Sequence, residues 1–238
     1  MMGKLLQMSG KRDIIRYKNM ARARIGGAVM AKIIGLCGRS GSGKSTICRM
    51  FLQYGIPSID TDALYRKLTA ASPIVSPCVM ELVEAFGGSV MAADGSLDRE
   101  QLAAIVFAPD GADALRRLNE ITHKYILNET VVLLGRMLAM GAPAVILDAP
   151  VLFEARLDGL CDTLVCVTAN DETSIRRIME RDGIDEARAK ARLASQIPAD
   201  ELAAKCDYVV DNSTGALPEA EIKRLAARFT AFADKGLV

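Results

Sequence analysis

Gly38-Arg39-Ser40-Gly41-Ser42-Gly43-Lys44-Ser45-Thr46 decides how this chain is read. It follows the spacing G-x-x-x-x-G-K-[ST] of a loop that cradles phosphates. Before it, Lys32-Ile33-Ile34-Gly35-Leu36-Cys37 is a short apolar run that reads as a buried strand. After it, Thr46-Ile47-Cys48-Arg49-Met50-Phe51-Leu52 carries apolar residues at helical spacing. Strand, glycine loop and helix are the context the motif requires. Gly38, Gly41 and Gly43 let the backbone bend so that N–H groups converge on phosphate oxygens. A helix starting near Gly43 adds unsatisfied N–H groups and the positive end of its dipole. Lys44 is expected to bridge the β- and γ-phosphates of a nucleotide, and the Ser45 hydroxyl to ligate Mg²⁺. The motif implies nucleotide binding and leaves the reaction open.

Working outward, Ile56-Pro57-Ser58-Ile59-Asp60 reads as a second strand running into Asp60-Thr61-Asp62. Ligands of open α/β sheets bind beyond the carboxyl ends of strands, which directs Asp60 and Asp62 to the crevice of the phosphate loop. A helix cap is the plainer role for either one. Residues 63–143 are mostly helical by pattern, with breaks at Gly87-Gly88, Asp94-Gly95 and either Gly135 or Gly141. The stretch is too long for a loop and reads as a helical insertion between the second and third strands. Residues 144–148, 162–168 and 207–211 are the third, fourth and fifth strands, and a closing amphipathic helix covers 218–232. Strands alternating with helices give an α/β fold, a parallel sheet of five strands flanked by helices. Its nucleotide-binding core would comprise 31–62 and 144–238.

Asp148 ends the third strand, where a carboxylate can hold Mg²⁺ or serve as a cap. Two helices, 171–182 and 185–197, follow the fourth strand and are dense in arginine. Arg177 and Arg181 share a helix face, as do Arg188 and Arg192. They read either as a salt-bridged, solvated pair or as a lid, at about 171–198, that brings guanidinium groups to a transferred phosphoryl group. His123 is the only histidine, and nothing in its spacing distinguishes it from a structural residue.

Half of the 238 residues are hydrophobic, with 5% aromatic and no Trp, so the core must be aliphatic. The net charge of +1 is unevenly spread. Residues 1–30 hold seven basic residues against Asp13 alone, a net +6, and the remainder holds 23 basic against 28 acidic, a net −5. A mildly acidic body argues against nucleic-acid binding. Six cysteines without a C-x-x-C pair read as free thiols of a reducing cytoplasm. No apolar run reaches the ~18 residues that span a membrane. Residues 1–30 are expected to be a basic, disordered extension, either a targeting peptide, a nucleic-acid arm or a solvated tail. Met30 is the alternative start.

The chain resembles the dephospho-coenzyme A kinase family over roughly 32–230. The matching residues are the phosphate loop, Ile59-Asp60-Thr61-Asp62, Phe86-Gly87, Asp94-Gly95-Ser96-Leu97-Asp98-Arg99-Glu100-Gln101-Leu102 and Phe107. Leu118-Asn119-Glu120-Ile121-Thr122-His123, Asp148-Ala149-Pro150-Val151-Leu152-Phe153-Glu154, Arg177, Arg181, Gln196 and Val210-Asp211-Asn212 complete the pattern. The resemblance implies a core of five parallel strands, a helical domain that grips the coenzyme, and a lid. It implies transfer of the ATP γ-phosphoryl group to the ribose 3′-hydroxyl of dephospho-coenzyme A. Asp62 would orient that hydroxyl and accept its proton, with Asp60 close by. Arg99 and His123 would lie on the acceptor side, Arg177 and Arg181 in the lid, and Asn212 near the adenine. The chain departs from the family at Lys124, where proline is usual, at Arg39-Ser40, and at the longer turn Ser213-Thr214-Gly215. Another small-molecule kinase of the same fold, or a nucleotide-binding protein without transfer, is the alternative. A guanine-reading Asn-Lys-x-Asp sequence is absent. A monomer or weak homo-oligomer is expected.

Overall fold

The computed structural model describes residues 31–214 and 216–231, so the expectation for residues 1–30 lies outside the described residues. In chain order, β1 (Lys32–Cys37), α1 (Lys44–Leu52) and β2 (Ser58–Asp60) are followed by four helices. These are α2 (Thr61–Leu68), α3 (Pro77–Phe86), α4 (Arg99–Val106) and α5 (Ala112–Ala139). Then come β3 (Ala144–Asp148), β4 (Thr163–Thr168), α6 (Asp171–Asp182), α7 (Glu186–Ala194), α8 (Ala199–Ala203), β5 (Tyr208–Asp211) and α9 (Glu219–Thr230). The chain divides into two compact units, Thr61–Val132 and the described residues on either side of it.

In the core unit the five strands order as β2-β3-β1-β4-β5, all parallel. The strands are continuous apolar runs because helices cover both faces of such a sheet, so neither face can be polar. All five residues of β3 are buried, as are five of six in β1. One layer of core sets Ile34, Leu36, Ile146, Val165 and Val210 of the sheet against Ile47 and Phe51 of α1 and Ile222, Leu225 and Phe229 of α9. Phe229 is wedged between Phe51 and Tyr208, with ring centroids 6.0 and 5.8 Å away. Each such fully buried side chain contributes about 1.5–3 kcal/mol relative to exposure.

The helical unit has its own core, built from Cys78, Val79, Leu82, Val90, Leu97, Leu102, Val106 and Ile121. Its helices start where capping residues stop the preceding chain. Ser76 Oγ accepts from Val79 N with Pro77 at the first helical position, and Asp98 Oδ1 accepts from Glu100 N and Gln101 N. Gly87 closes α3 with φ 92°.

Three elements differ from the sequence reading. The 28-residue α5 runs through Gly135 and ends before Gly141, whose φ is 86°. Gly135 costs about 1 kcal/mol in a helix, which buried Leu134 and Leu138 on either side offset. The second arginine-rich helix stops at Ala194, and Pro198 opens the short α8, which the pattern did not announce. A 3₁₀ turn, Leu157–Leu160, follows the Pro150–Glu154 segment and buries Leu157 and Leu160.

Candidate active site

The phosphate loop leaves β1 at the centre of the sheet and enters α1 directly. Gly43 precedes the helix at φ 93°, a conformation costly for residues with a Cβ. It offers the helix no side-chain cap; Thr46 N bonds the Gly43 carbonyl at 2.9 Å, and an uncapped helix N-terminus of this kind favours an anion. Lys44 Nζ lies 3.2 Å from the Gly38 carbonyl, folded back across the loop. Ser45, the next residue, is exposed.

Parallel pairing aligns the carboxylates of the core unit. Asp60 and Asp148 are register partners at the ends of β2 and β3, and Asp148 is also level with Leu36 of β1. Two carboxylates therefore stand side by side at the carboxyl edge from which the loop springs. Asp148 is 9% exposed, and Cys48 of α1 donates to its Oδ2 at 3.7 Å. Burial and the Asp148 charge push the Cys48 thiol up to about 12, so it stays protonated. The donors at this edge are therefore hard oxygens, Ser45, Asp60 and Asp148, a set that suits Mg²⁺ rather than a soft metal.

The arginine-rich helices sit on the loop itself. Arg177 Nη1 donates to Gly41 O at 3.2 Å and to Ser42 O at 3.4 Å, and Arg181 Nη2 to Ser40 Oγ at 3.3 Å. Arg181 also grips Asp182 with two bonds of 2.7 and 2.8 Å, and Arg192 reaches the same carboxylate at 2.7 Å. Those partners hold Asp182 below the usual carboxylate range. Arg188 pairs with Asp185 at 3.7 Å. The helix pair is thus partly the salt-bridged assembly that the sequence allowed, and Arg177 is the member turned onto loop carbonyls.

Several residues do work that sequence spacing does not reveal. Arg39 Nη1 bonds Asp171 at 3.0 Å and its Nη2 bonds Leu193 O at 2.8 Å, tying the loop to both α6 and α7. Gln196 Oε1 accepts from Ser40 N at 2.8 Å. Asn212, expected near an adenine, is 3% exposed and donates from Nδ2 to Ser42 O at 2.8 Å. Its amide lies so close that a Cβ on Gly43 would meet Nδ2 at 2.2 Å. Ser213 continues the support: its Oγ accepts from Asn170 N at 2.9 Å, and its carbonyl from Thr173 Oγ1 at 3.0 Å. No local signal marks Asn212 for this task, since its partner is 170 residues away.

The remaining candidates belong to the helical unit. Asp62 is exposed in the first turn of α2. Arg99 opens α4, donates to Thr69 Oγ1 at 3.1 Å and stacks 5.7 Å over Tyr65. It borders a hollow lined by Thr69, Ala70, Asp94, Ser96 and Glu100. His123 is half-buried in α5. The next two residues of α5, Lys124 and Tyr125, both bond Glu81, at 2.7 and 2.8 Å.

No helix among the described residues is long and apolar enough to cross a membrane. Residues 32–218 match the family model described as dephospho-CoA kinase. The dephospho-CoA kinase of Anaeromyxobacter dehalogenans is 42% identical over 189 residues, covering 79% of this chain and 86% of that protein. That of Listeria monocytogenes is 37% identical over 184 residues, covering 77% and 90%. Among solved structures, the Thermus thermophilus protein TT1252 superposes with a TM-score of 0.69 at 31% identity, covering 83% of this chain and 96% of that one. The dephospho-CoA kinase of Campylobacter jejuni shares the fold, with a TM-score of 0.51 at 22% identity over 85% and 98%.

Proposed function

This chain belongs to the dephospho-CoA kinase family, and on that premise we propose that it transfers the γ-phosphoryl group of ATP to the ribose 3′-hydroxyl of dephospho-CoA, giving CoA and ADP in the last step of CoA biosynthesis. The observation that carries the reading is the phosphate loop with Arg177 and Arg181 bonded onto it beside the paired strand ends of Asp60 and Asp148. A loop built only to hold a nucleotide has no need of guanidinium groups poised over it.

The backbone N–H groups of the loop and the α1 N-terminus hold the β- and γ-phosphates. Lys44, now on the Gly38 carbonyl, swings to bridge those phosphates. Ser45 and Asp148 would hold Mg²⁺, which would supply positive charge to the phosphates of the donor. The helix pair α6–α7 acts as a lid: Arg177 and Arg181 move from loop oxygens to the transferring group, where a loose transition state spreads negative charge. Asp62 orients the acceptor hydroxyl in line and takes its proton, with Asp60 close by. Arg99 and His123 bind the acceptor.

The test is acceptor-dependent ADP release, with dephospho-CoA set against adenosine, AMP and shikimate. Dephospho-CoA alone should drive release. Turnover with a nucleoside or shikimate would assign a different small-molecule kinase, and no acceptor-dependent release would leave a nucleotide-binding protein.

A further inference from the structure

Three cysteines that phosphoryl transfer does not use meet beneath the phosphate loop. Cys37 is the last residue of β1, immediately before Gly38. Cys166 is its register partner on β4. Cys206 lies two residues before β5. Facing residues of parallel neighbours leave the sheet on the same side, and the turn before β5 brings the third thiol to that side. All three sulfurs lie within 4.8 Å of one another, with Cys37 and Cys206 3.4 Å apart. Cys37 and Cys166 are 2% and 1% exposed, whereas Cys206 is half-buried and gives the cluster an opening.

We propose that Cys37, Cys166 and Cys206 form a three-sulfur site for a single thiophilic monovalent cation, Cu(I). The donor set decides the class of ion. Three soft sulfurs converge, and among the described residues no histidine or carboxylate joins the group. Hard cations require oxygen ligands, and zinc is almost always four-coordinate in structural sites, so a trigonal thiolate set is left to Cu(I). The spacing agrees. A metal–sulfur bond of about 2.3 Å places three trigonal ligands about 4.0 Å apart. The Cys37–Cys206 pair needs to open by only about half an ångström to reach that separation. A disulfide would instead require the pair to close to about 2.0 Å, using two sulfurs and stranding the third.

Two ligands are fixed by the sheet ladder, so the site is largely formed before the ion arrives. Each ligating thiol gives its proton to solvent on binding, and the copper keeps its oxidation state. The filled site joins the end of β1 and the middle of β4 to the turn before β5. β1 runs into the phosphate loop and β5 into Asn212, so the ion stiffens the base of the nucleotide site from below. None of this depends on which acceptor the enzyme phosphorylates.

The experiment uses the reduced full-length protein under anaerobic conditions, titrated with Cu(I) against a chromogenic Cu(I) chelator. The expected result is one Cu(I) per chain and a rise in Tm on loading. Cys206→Ser is the main variant because its half-exposed side chain is not needed for the core. It should weaken binding by at least the roughly 10–100-fold that losing an outer-sphere support costs a metal site. Cys166→Ala should do the same, and Cys161→Ser, outside the cluster, should bind as the parent does. Binding that Cys206→Ser leaves unchanged, failure to compete with the chelator, or a Cys37–Cys206 disulfide in place of bound metal would each overturn the assignment.

Discussion

Replacing Asn212 with Ala separates two roles for this residue. Its amide Nδ2 donates to Ser42 O at 2.8 Å from a site that is 3% exposed. Deleting the donor removes a hydrogen bond worth about 1 kcal/mol net and leaves a buried carbonyl whose lost partner costs about 1–3 kcal/mol. Arg177 Nη1, 3.4 Å from the same oxygen, recovers part of this. The loss therefore centres on about 2 kcal/mol. For a chain of this size that lowers Tm by about 4–8 °C. The bond restrains the phosphate loop and does not read a base, so ATP and GTP should weaken by the same factor. That factor is at most about 30-fold, reached if the whole loss appears in nucleotide binding. Thermal unfolding and parallel titrations with the two nucleotides give both quantities. An unchanged Tm with loss of ATP but not GTP affinity would refute the reasoning and return Asn212 to the adenine.

Asp62→Asn should lower kcat by about 10²-fold or more, the scale of lost general-base assistance, with ATP affinity nearly unchanged; wild-type turnover would remove Asp62 from that role. Lys44→Ala should damage both ATP binding and rate, read from KM and kcat together, and intact turnover would dismiss the phosphate-loop assignment. Arg39→Ala breaks the bonds to Asp171 and Leu193 O, so proteolytic sensitivity of the 171–198 segment should rise while the helical unit stays protected. Glu81 carries a pH prediction. Burial raises its pKa, but hydrogen bonds from Lys124 and Tyr125 outweigh this and hold it below the usual range. A carboxyl depressed in the folded state contributes stability that is present above the unfolded value of about 4.3 and lost as pH falls through the folded value. The Tm gap between wild type and Glu81→Gln should therefore be widest near neutral pH and shrink as pH falls below about 4.3; a gap independent of pH would dismiss the linkage.

The sheet was legible because each strand is an apolar run bounded by a residue with a positional meaning. Gly38 follows β1, while Asp60 and Asp148 end β2 and β3. The phosphate loop was legible because its chemistry is local, held within nine consecutive residues. Gly135 misled as a possible break because glycine is punctuation only where no packing opposes it, and Leu134 and Leu138 are buried around it. The tasks of Arg39, Gln196 and Asn212 were illegible for a different reason. Their partners lie 132–170 residues away, and only the closed sheet brings them together. Gln196 and Asn212 stood in the family pattern without revealing what they bond. The six cysteines were read together as free thiols, and only the β1–β4 register and the turn before β5 show that three of them meet.

The loop's glycines answer to two demands at once. Gly41 has φ 78°, and a Cβ there would meet Ser174 O of α6 at 2.4 Å. Gly43 has φ 93°, and its Cβ would meet Asn212 Nδ2 at 2.2 Å. Either position therefore excludes a side chain through its contact with α6 or the β5 turn, before any nucleotide is considered. The same α6 supplies Arg177 to the Gly41 and Ser42 carbonyls, and the same turn supplies Ser213 to the α6 N-terminus. Loop, α6 and β5 turn thus form a closed ring of contacts in which moving one member strains the other two. On the mechanism proposed above, phosphate at the loop would compete for Arg177 and Arg181 and loosen the ring at those bonds. Asn212 Nδ2 shares the Ser42 carbonyl with Arg177 Nη1, so it retains that oxygen if the arginine leaves. The lid role proposed for α6–α7 would therefore couple to nucleotide binding through these few bonds.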